Sequence, residues 1–183
     1  MSKSGRYAAD RKKVATLSSN STGSQAQCGT IFLLDSGSAT VTNSPGRIAG
    51  GGYCYFLPPL SASSAASGGN AALAGQGWWA KFVVKAGGGP SGPGNTDLIH
   101  IATCPSDKVG LVNCSVVSGS GAAAGGQNQG FISGSDGVTF DVSACAAGDQ
   151  VELWTDGSNW YGQAHCSGNA GIISFTDSVY PNK

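Results

Sequence analysis

Charged side chains are scarce in this sequence. Lys, Arg, Asp and Glu make up 11% of its 183 residues, against about 25% in typical globular proteins. The 30 glycines give glycine a share of about 16%, against a usual share of about 7%. With 40% hydrophobic residues, the chain also lacks the composition of a disordered protein. These proportions are typical of an all-β protein with many tight turns, and the charge-poor surface favours a chain that works within an assembly.

No long apolar run occurs in the sequence. Residues 1–16 have no apolar centre of the kind that a secretory signal peptide carries. No segment approaches the roughly 20 apolar residues of a membrane-spanning helix. The sequence therefore predicts a protein that is made in the cytoplasm and has no membrane partner.

The motifs that usually carry catalysis are also missing. The glycine-rich tracts lack the context of a phosphate-binding loop, and the acids form no alternating run for calcium. Asp136 and Asp141 are close in sequence, yet Asp136 fits an Asp-Gly turn that needs no catalytic role. The adjacent His165 and Cys166 would be a base and a nucleophile only if they touched in the fold; ordinary packed side chains are the alternative, as for His100. We predict a non-enzymatic protein with no cofactor and no metal.

Six cysteines are present without any CxxC pair. The spacings typical of zinc sites are therefore missing, although metal ligation by thiols remains an alternative. In a protein made in the cytoplasm the expected state is the reduced thiol, packed as a small hydrophobic side chain. Bridges could still form later in oxidising surroundings. The six are Cys28, Cys54, Cys104, Cys114, Cys145 and Cys166.

Alternation over residues 75–85 (GQGWWAKFVVK) predicts the central strand of the fold. Every second residue from Trp78 onward is apolar, whereas the residues between them mix apolar and cationic side chains. This pattern indicates a strand with one buried and one partly wet face. The apolar set is Trp78, Ala80, Phe82 and Val84, and the mixed set is Trp79, Lys81, Val83 and Lys85.

A second segment, residues 151–161 (VELWTDGSNWY), predicts two short strands around an Asp-Gly turn. Three further hairpins are predicted, over 28–34 with 39–42, 96–103 with 109–117, and 130–132 with 138–142. Residues 53–57 and 171–175 add two more strands. Together these patterns predict an all-β fold: a single β-sandwich or barrel-like domain of about ten short antiparallel strands over residues 28–183.

Residues 1–27 predict a basic N-terminal arm and linker ahead of that domain. Residues 1–13 hold five cations and one acid, a net charge of +4, and the rest of the chain holds five cations and nine acids, a net charge of −4. A basic arm commonly seeks an acidic partner surface or nucleic acid; a solvated, disordered terminus is the alternative. A short helix from about Tyr7 to Leu17 could form against a partner, since alone it would be marginal. The arm's candidate contact residues are Lys3, Arg6, Tyr7, Arg11, Lys12 and Lys13.

The aromatic residues are predicted to lie in the core or at an oligomer interface, because large aromatic side chains are mostly well buried. The predicted set is Trp78, Trp79, Phe82, Trp154, Trp160 and Tyr161. The alternative is a sugar-binding platform, which would require that the tryptophans and Tyr161 are exposed.

The start of the chain (MSKSGRYAADRKK, then QCGTIFLL) and the pair GWWAKFVVK and GDQVELWTDGSNWYGQA resemble small virion proteins of tailed bacteriophages. The resemblance is to virion proteins of podoviruses that infect marine cyanobacteria and related bacteria. The resemblance covers about a third of the chain. It implies a head decoration (cement) protein on the outer capsid surface of the virion.

On this resemblance the chain would form a homotrimer and bind the major capsid protein, its arm contacting neighbouring capsid subunits. No nucleic acid partner would be expected. An alternative is a phage tail or fibre module that binds host surface glycans through its aromatic residues and glycine-rich loops.

Overall fold

The structure, a computed structural model, describes residues 12–35, 52–61, 73–85, 98–104, 107–116, 132–141, 145–167 and 172–175. Within these ranges the chain forms twelve strands and one short 3-10 helix, Gln25–Gln27. The strands are β1 (Lys13–Leu17), β2 (Ser21–Thr22), β3 (Thr30–Leu34), β4 (Gly52–Phe56), β5 (Trp79–Val84), β6 (Leu98–Ala102), β7 (Val109–Val116), β8 (Ile132–Ser135), β9 (Gly137–Asp141), β10 (Gln150–Thr155), β11 (Trp160–Cys166) and β12 (Ile172–Phe175).

The strands form two mixed sheets. The larger sheet has the order β1-β3-β5-β10-β11-β7-β8, and the smaller sheet has the order β12-β9-β6-β4-β2. From β1 to β7 the chain changes sheet with every strand, so the next strand in the same sheet is two strands further along the chain. Parallel neighbours need a crossover connection, and here the intervening strand of the other sheet is part of it. The pairs β1–β3, β3–β5, β2–β4 and β4–β6 are accordingly parallel.

The prediction of an all-β fold is confirmed by this strand-rich architecture. The prediction that its strands are antiparallel is wrong for the four pairs above and for β7–β11. Each sheet is open, with β1 and β8 at the edges of the larger one, so the described strands form no closed barrel.

Two predicted hairpins are wrong because consecutive strands lie in different sheets. β6 belongs to the smaller sheet and β7 to the larger one, and β8 and β9 are divided in the same way. Asp136, expected in a hairpin turn, is a buried corner residue: its carboxylate accepts a hydrogen bond from Lys108, and its carbonyl accepts one from Thr103 at 3.0 Å. The third predicted hairpin needs residues 39–42, which lie outside the described residues.

The predicted helix from about Tyr7 to Leu17 is wrong where the structure describes it. Residues 13–17 form β1, which pairs along the full length of β3, and Leu17 is buried in the core. The β-branched Val14 and Thr16 favour a strand once a partner edge is available. Residues 13–27, expected to be arm and linker, thus contain two strands of the sheets. Residues 1–11 lie outside the described residues, and a basic arm there stays a prediction.

The inward faces of the two sheets share one hydrophobic core. At its centre Tyr55 of the smaller sheet packs against Phe32 and Phe82 of the larger sheet, with ring centroids 4.9 and 5.3 Å away. Trp78 and Trp160 meet edge to face beside them, at 5.3 Å and 89°. Because these rings come from distant parts of the chain, their packing fixes which strands become neighbours.

Candidate functional site

The outward face of the larger sheet, which points away from the shared core, carries a row of aromatic side chains. Along β5, β10 and β11 buried residues alternate with half-buried ones, except that Val84 at the end of β5 is half-buried like Val83. The alternation predicted for residues 75–85 is thus confirmed over residues 78–83. The strand register places Trp154 opposite Trp79 on one side and opposite Tyr161 on the other. These three half-buried residues therefore lie side by side across three strands. We call Trp79, Trp154 and Tyr161 the aromatic row.

The turn between β10 and β11 holds this register through side-chain hydrogen bonds. The Asp156 carboxylate accepts hydrogen bonds from the backbone N–H groups of Ser158 and Asn159, both at 2.8 Å. The Thr155 hydroxyl donates to the Asn159 carbonyl at 2.6 Å and accepts from the Gly157 N–H at 2.9 Å. Gly157 has a φ of 94°, a conformation that glycine adopts without strain. The hairpin predicted for residues 151–161 is thereby confirmed.

Asp156 also fixes the phenol at the end of the aromatic row. The Tyr161 hydroxyl donates to the second oxygen of its carboxylate at 2.9 Å. Hydrogen bonds from the N–H groups of Ser158 and Asn159, and then from Tyr161, lower the pKa of Asp156, and the same Tyr161 bond raises the pKa of that phenol. The rings of Tyr161 and Trp154 are nearly parallel, with centroids 6.3 Å apart and 23° between their planes. The row therefore ends in an ionised, exposed carboxylate.

At its other end the aromatic row meets the start of β3. The Gly29 N–H donates to the Trp79 carbonyl at 2.8 Å. A Cβ atom at Gly29 would lie 3.7 Å from the Trp79 ring, so the indole lies over the backbone of this glycine. The backbone bond and the ring contact together hold Trp79 at the edge of the row.

A second row of side chains runs beside the aromatic row. Glu152 lies opposite Lys81 on one neighbouring strand and opposite Gln163 on the other, and all three are half-buried. We call Lys81, Glu152 and Gln163 the polar row. Its cation and its anion are cross-strand neighbours, an arrangement that is favourable in sheets, so the row has no net charge and offers both hydrogen-bond donors and acceptors.

The structure separates the six predicted aromatic residues into two groups. Trp78, Phe82 and Trp160 point into the core and are at most 2% exposed. The remaining three form the aromatic row on the opposite side of the same sheet. Asp156 and the polar row were not predicted as site residues, although the alternation of Glu152 with buried Val151 and Leu153 carries the signal in the sequence.

Most of the predicted arm contacts fall outside the described residues, namely Lys3, Arg6, Tyr7 and Arg11. Lys12 and Lys13 are described and exposed. The Lys13 ammonium donates to the Ala26 carbonyl at 3.0 Å. These two cations thus lie at the start of β1, an edge strand of the larger sheet.

The adjacent His165 and Cys166 do not form a base–nucleophile pair. Cys166 is buried among core residues, whereas His165 is half-buried on the outward face, because successive residues of a strand point to opposite sides. Their side chains therefore point away from each other.

A second histidine–cysteine pair, on neighbouring strands, occurs in the smaller sheet. His100 lies opposite Cys54 on β4 and opposite Thr139 on β9, and its Nδ1 atom is 2.8 Å from the Thr139 hydroxyl. Burial raises the pKa of the Cys54 thiol to about 12 and lowers the pKa of His100 to about 4. At neutral pH both groups are uncharged, so this pair lacks the reactive thiolate that nucleophilic catalysis uses.

In the ranges given above, no three or more His, Cys, Asp or Glu side chains are grouped so that they could hold a metal ion. The same part of the chain has no helix with the length and apolar character needed to cross a membrane. No protein-family model, curated protein or solved structure matches this chain. Among the described residues, the aromatic row, the polar row and Asp156 together form the candidate functional surface.

Proposed function

We propose that this chain is a non-enzymatic structural protein of a phage virion, which binds the outer surface of the head as a decoration protein. The observation that carries this proposal is where the resembling segments lie. Residues 27–34, 77–85 and 148–164 contain β3, β5, β10 and most of β11, which are consecutive neighbours in the larger sheet. Apart from the stretch at residues 1–13, the resembling segments therefore form one continuous structural unit.

The same proposal extends to architecture and assembly. The two sheets form a β-sandwich around their shared core, and three copies form a homotrimer on the shell. Support comes from the contact of Tyr55 with Phe32 and Phe82 across the two sheets and from the low charge content of the chain, which favours burial of surface in an assembly.

The arm is the proposed contact with the major capsid protein. It joins the β-structure at Lys12, immediately before edge strand β1. Residues 1–13 carry a net charge of +4, which suits an acidic partner surface. A tethered arm binds at a high effective concentration once the domain is seated, so it adds to shell affinity without enlarging the domain interface.

Deleting residues 1–11 tests this proposal, because it removes the arm and keeps β1. We expect the truncated protein to keep the far-UV circular dichroism and the melting temperature of the full chain. It should no longer co-sediment with undecorated phage capsids. A deletion through residue 22 would be uninformative, since it removes β1 and β2. Co-sedimentation of the truncated protein at the level of the full chain would contradict the proposal.

A matched variant distinguishes the effect of the arm's charge on shell binding from the effect of its length. Replacing Lys3, Arg6 and Arg11 with Gln keeps the length of the arm and removes three of its cations. Shell binding should then weaken and become less dependent on salt, because screening acts only on charge. Unchanged binding with unchanged salt dependence would contradict an electrostatic role of the arm.

The second candidate is a tail or fibre module that binds host surface glycans. It is favoured by one observation, the half-buried aromatic row on the outward face of the larger sheet. Core packing does not account for these three side chains, because their neighbours along each strand supply the core.

A further inference from the structure

We propose that the aromatic row, together with the polar row and Asp156, binds a neutral polysaccharide, with its pyranose rings stacked on Trp79, Trp154 and Tyr161. The inference rests on the second candidate function and specifies its site and its ligand class. It does not depend on shell binding, which is assigned to the N-terminal arm.

The aromatic row offers stacking surfaces that are already in place. The C–H groups on one face of a pyranose ring carry partial positive charge, and the face of an aromatic ring is negative. The rings of Trp154 and Tyr161 stack on each other, with 23° between their planes, so together they form one aromatic surface against which a sugar can pack. The row lies on paired strands and Asp156 holds the Tyr161 hydroxyl at 2.9 Å. Little ordering is therefore needed on binding, which favours affinity.

The polar groups around the row match the hydroxyls of a sugar. The Asp156 carboxylate is exposed, and its oxygens retain lone pairs that can accept from sugar hydroxyls. The Gln163 amide can both donate and accept hydrogen bonds. At the neighbouring positions the Lys81 ammonium donates and the Glu152 carboxylate accepts. The ligand can thus be held by hydrogen bonds along one edge while its apolar face lies on the rings.

Charge selects the class of polysaccharide. Lys81 and Glu152 oppose each other in register, so the polar row is neutral, and Asp156 leaves the site with one net negative charge. An acidic polysaccharide, like a nucleic acid, would bring its anions against this carboxylate, which disfavours binding. The expected ligand is therefore an uncharged hexose polymer rather than a uronic-acid polymer.

The full-length protein is tested by titration with three soluble neutral polysaccharides (dextran, mannan and a mixed-linkage β-glucan) and with alginate as the acidic comparison. Tryptophan fluorescence and isothermal titration calorimetry report binding. We expect at least one neutral polymer to bind and alginate to bind at least about tenfold more weakly. Trp154→Ala should weaken binding at least about tenfold, a loss of about 1.4 kcal/mol. Ser19→Ala, at an exposed position between β1 and β2, should leave it unchanged.

Two gentler variants keep the test valid if Trp154→Ala does not fold. Tyr161→Phe retains the ring and loses the hydroxyl that Asp156 holds, so binding should weaken less than in Trp154→Ala. Asp156→Asn removes the net negative charge, so the discrimination against alginate should shrink. A melting temperature and a circular dichroism spectrum for each variant show that the fold is intact.

Three results would overturn the inference. The first is that no neutral polysaccharide changes either signal. The second is an equal loss of binding in Ser19→Ala and Trp154→Ala. The third is a concentration-dependent oligomer that Trp154→Ala dissociates, which would assign the face to a second copy of the chain. Capsid co-sedimentation of Trp154→Ala distinguishes the two proposals, because shell binding should persist when glycan binding is lost.

Discussion

The two sheets differ in what lies on the side that points away from their shared core. On the larger sheet that side is half-buried, as at Lys81, Glu152 and Gln163. On the smaller sheet most of the described residues on that side are buried although they do not belong to the shared core; Cys54 and Ala102 form a second, fully buried cluster, and the partly buried Phe56 packs against it. The smaller sheet is thus buried on both faces at these strands, and the larger sheet is buried on one.

The strands of the two sheets differ correspondingly in their sequence patterns. β4 (GYCYF) and β6 (LIHIA) are nearly continuous in apolar residues, as strands buried on both faces usually are. β10 (QVELWT) alternates polar and apolar residues over most of its length, the pattern of a strand with one wet face. At these strands the larger sheet therefore has one partly exposed face, whereas both faces of the smaller sheet contribute to the stability of the fold.

A newly introduced glutamate should reveal the largest difference in stability between the outward faces of the two sheets. Ala102→Glu places a carboxylate at a fully buried position of β6, and burying an unpaired charge costs several kcal/mol. We expect this variant to lower the free energy of unfolding by about 5 kcal/mol, or to prevent folding. Gln163→Glu, on the half-buried face of β11, should change it by less than about 1 kcal/mol.

Urea unfolding followed by circular dichroism measures both variants. Ala102→Ser is the matched control, because it adds one polar atom without a charge and should cost far less than the glutamate. Similar losses for Ala102→Glu and Gln163→Glu would show that the outer faces of the two sheets do not differ in burial.

His100 makes the buried outer face sensitive to pH. Its pKa is lowered to about 4 by burial, below the value of about 6.5 in an unfolded chain. The unfolded state therefore binds a proton that the folded state excludes. The stability from this residue is fully present above pH 6.5 and is lost as the pH falls toward 4, by an amount on the order of 3 kcal/mol.

The measurement is the free energy of unfolding between pH 7 and pH 4 in the full chain and in His100→Gln. The glutamine can keep a hydrogen bond to Thr139, which lies 2.8 Å from His100 in the folded protein, and it does not titrate in this range. The difference between the two curves isolates His100 from the carboxylates. Parallel curves would contradict the prediction.

The sequence was sufficient to predict the strands and turns that depend on local patterns of residues. Alternation identified the buried Phe82 and its partly wet neighbour Lys81, and the Asp-Gly turn identified the β10–β11 hairpin. The sequence was insufficient to predict which strands pair. The strands β6 and β7 are consecutive in the chain, yet they lie in different sheets. That division depends on contacts between distant residues, such as Tyr55 with Phe82, which no local pattern encodes.

The candidate site was predictable only in part for the same reason. Trp78 and Trp79 are adjacent residues of the same type. The alternation of side chains along a strand was enough to predict that they face opposite sides of the sheet. The meeting of Trp79 with Trp154 depends on the register between β5 and β10, two strands that are far apart in the sequence. The edge strand β1 was not predicted, because residues 13–17 form a strand only through their pairing with β3.

The smallest predicted effect concerns the two tryptophans on the core side of the larger sheet. Trp78 and Trp160 are both buried and contact each other edge to face at 5.3 Å. The Trp78 indole N–H donates to the Ser24 carbonyl at 3.2 Å, whereas the Trp160 indole N–H has no acceptor within the described part of the chain. Replacing either with Phe removes a similar apolar area and the same polar group.

Trp78→Phe should therefore destabilise the protein more than Trp160→Phe, by about 1 kcal/mol, since only the former breaks a hydrogen bond. The Trp160 substitution also removes a buried donor that lacks a partner, which offsets part of its cavity cost. Urea midpoints of the two variants, with Trp79→Phe as the surface control, measure the difference. A larger loss of stability in Trp160→Phe would contradict the prediction and would show that packing, rather than hydrogen bonding, determines the difference between the two indoles.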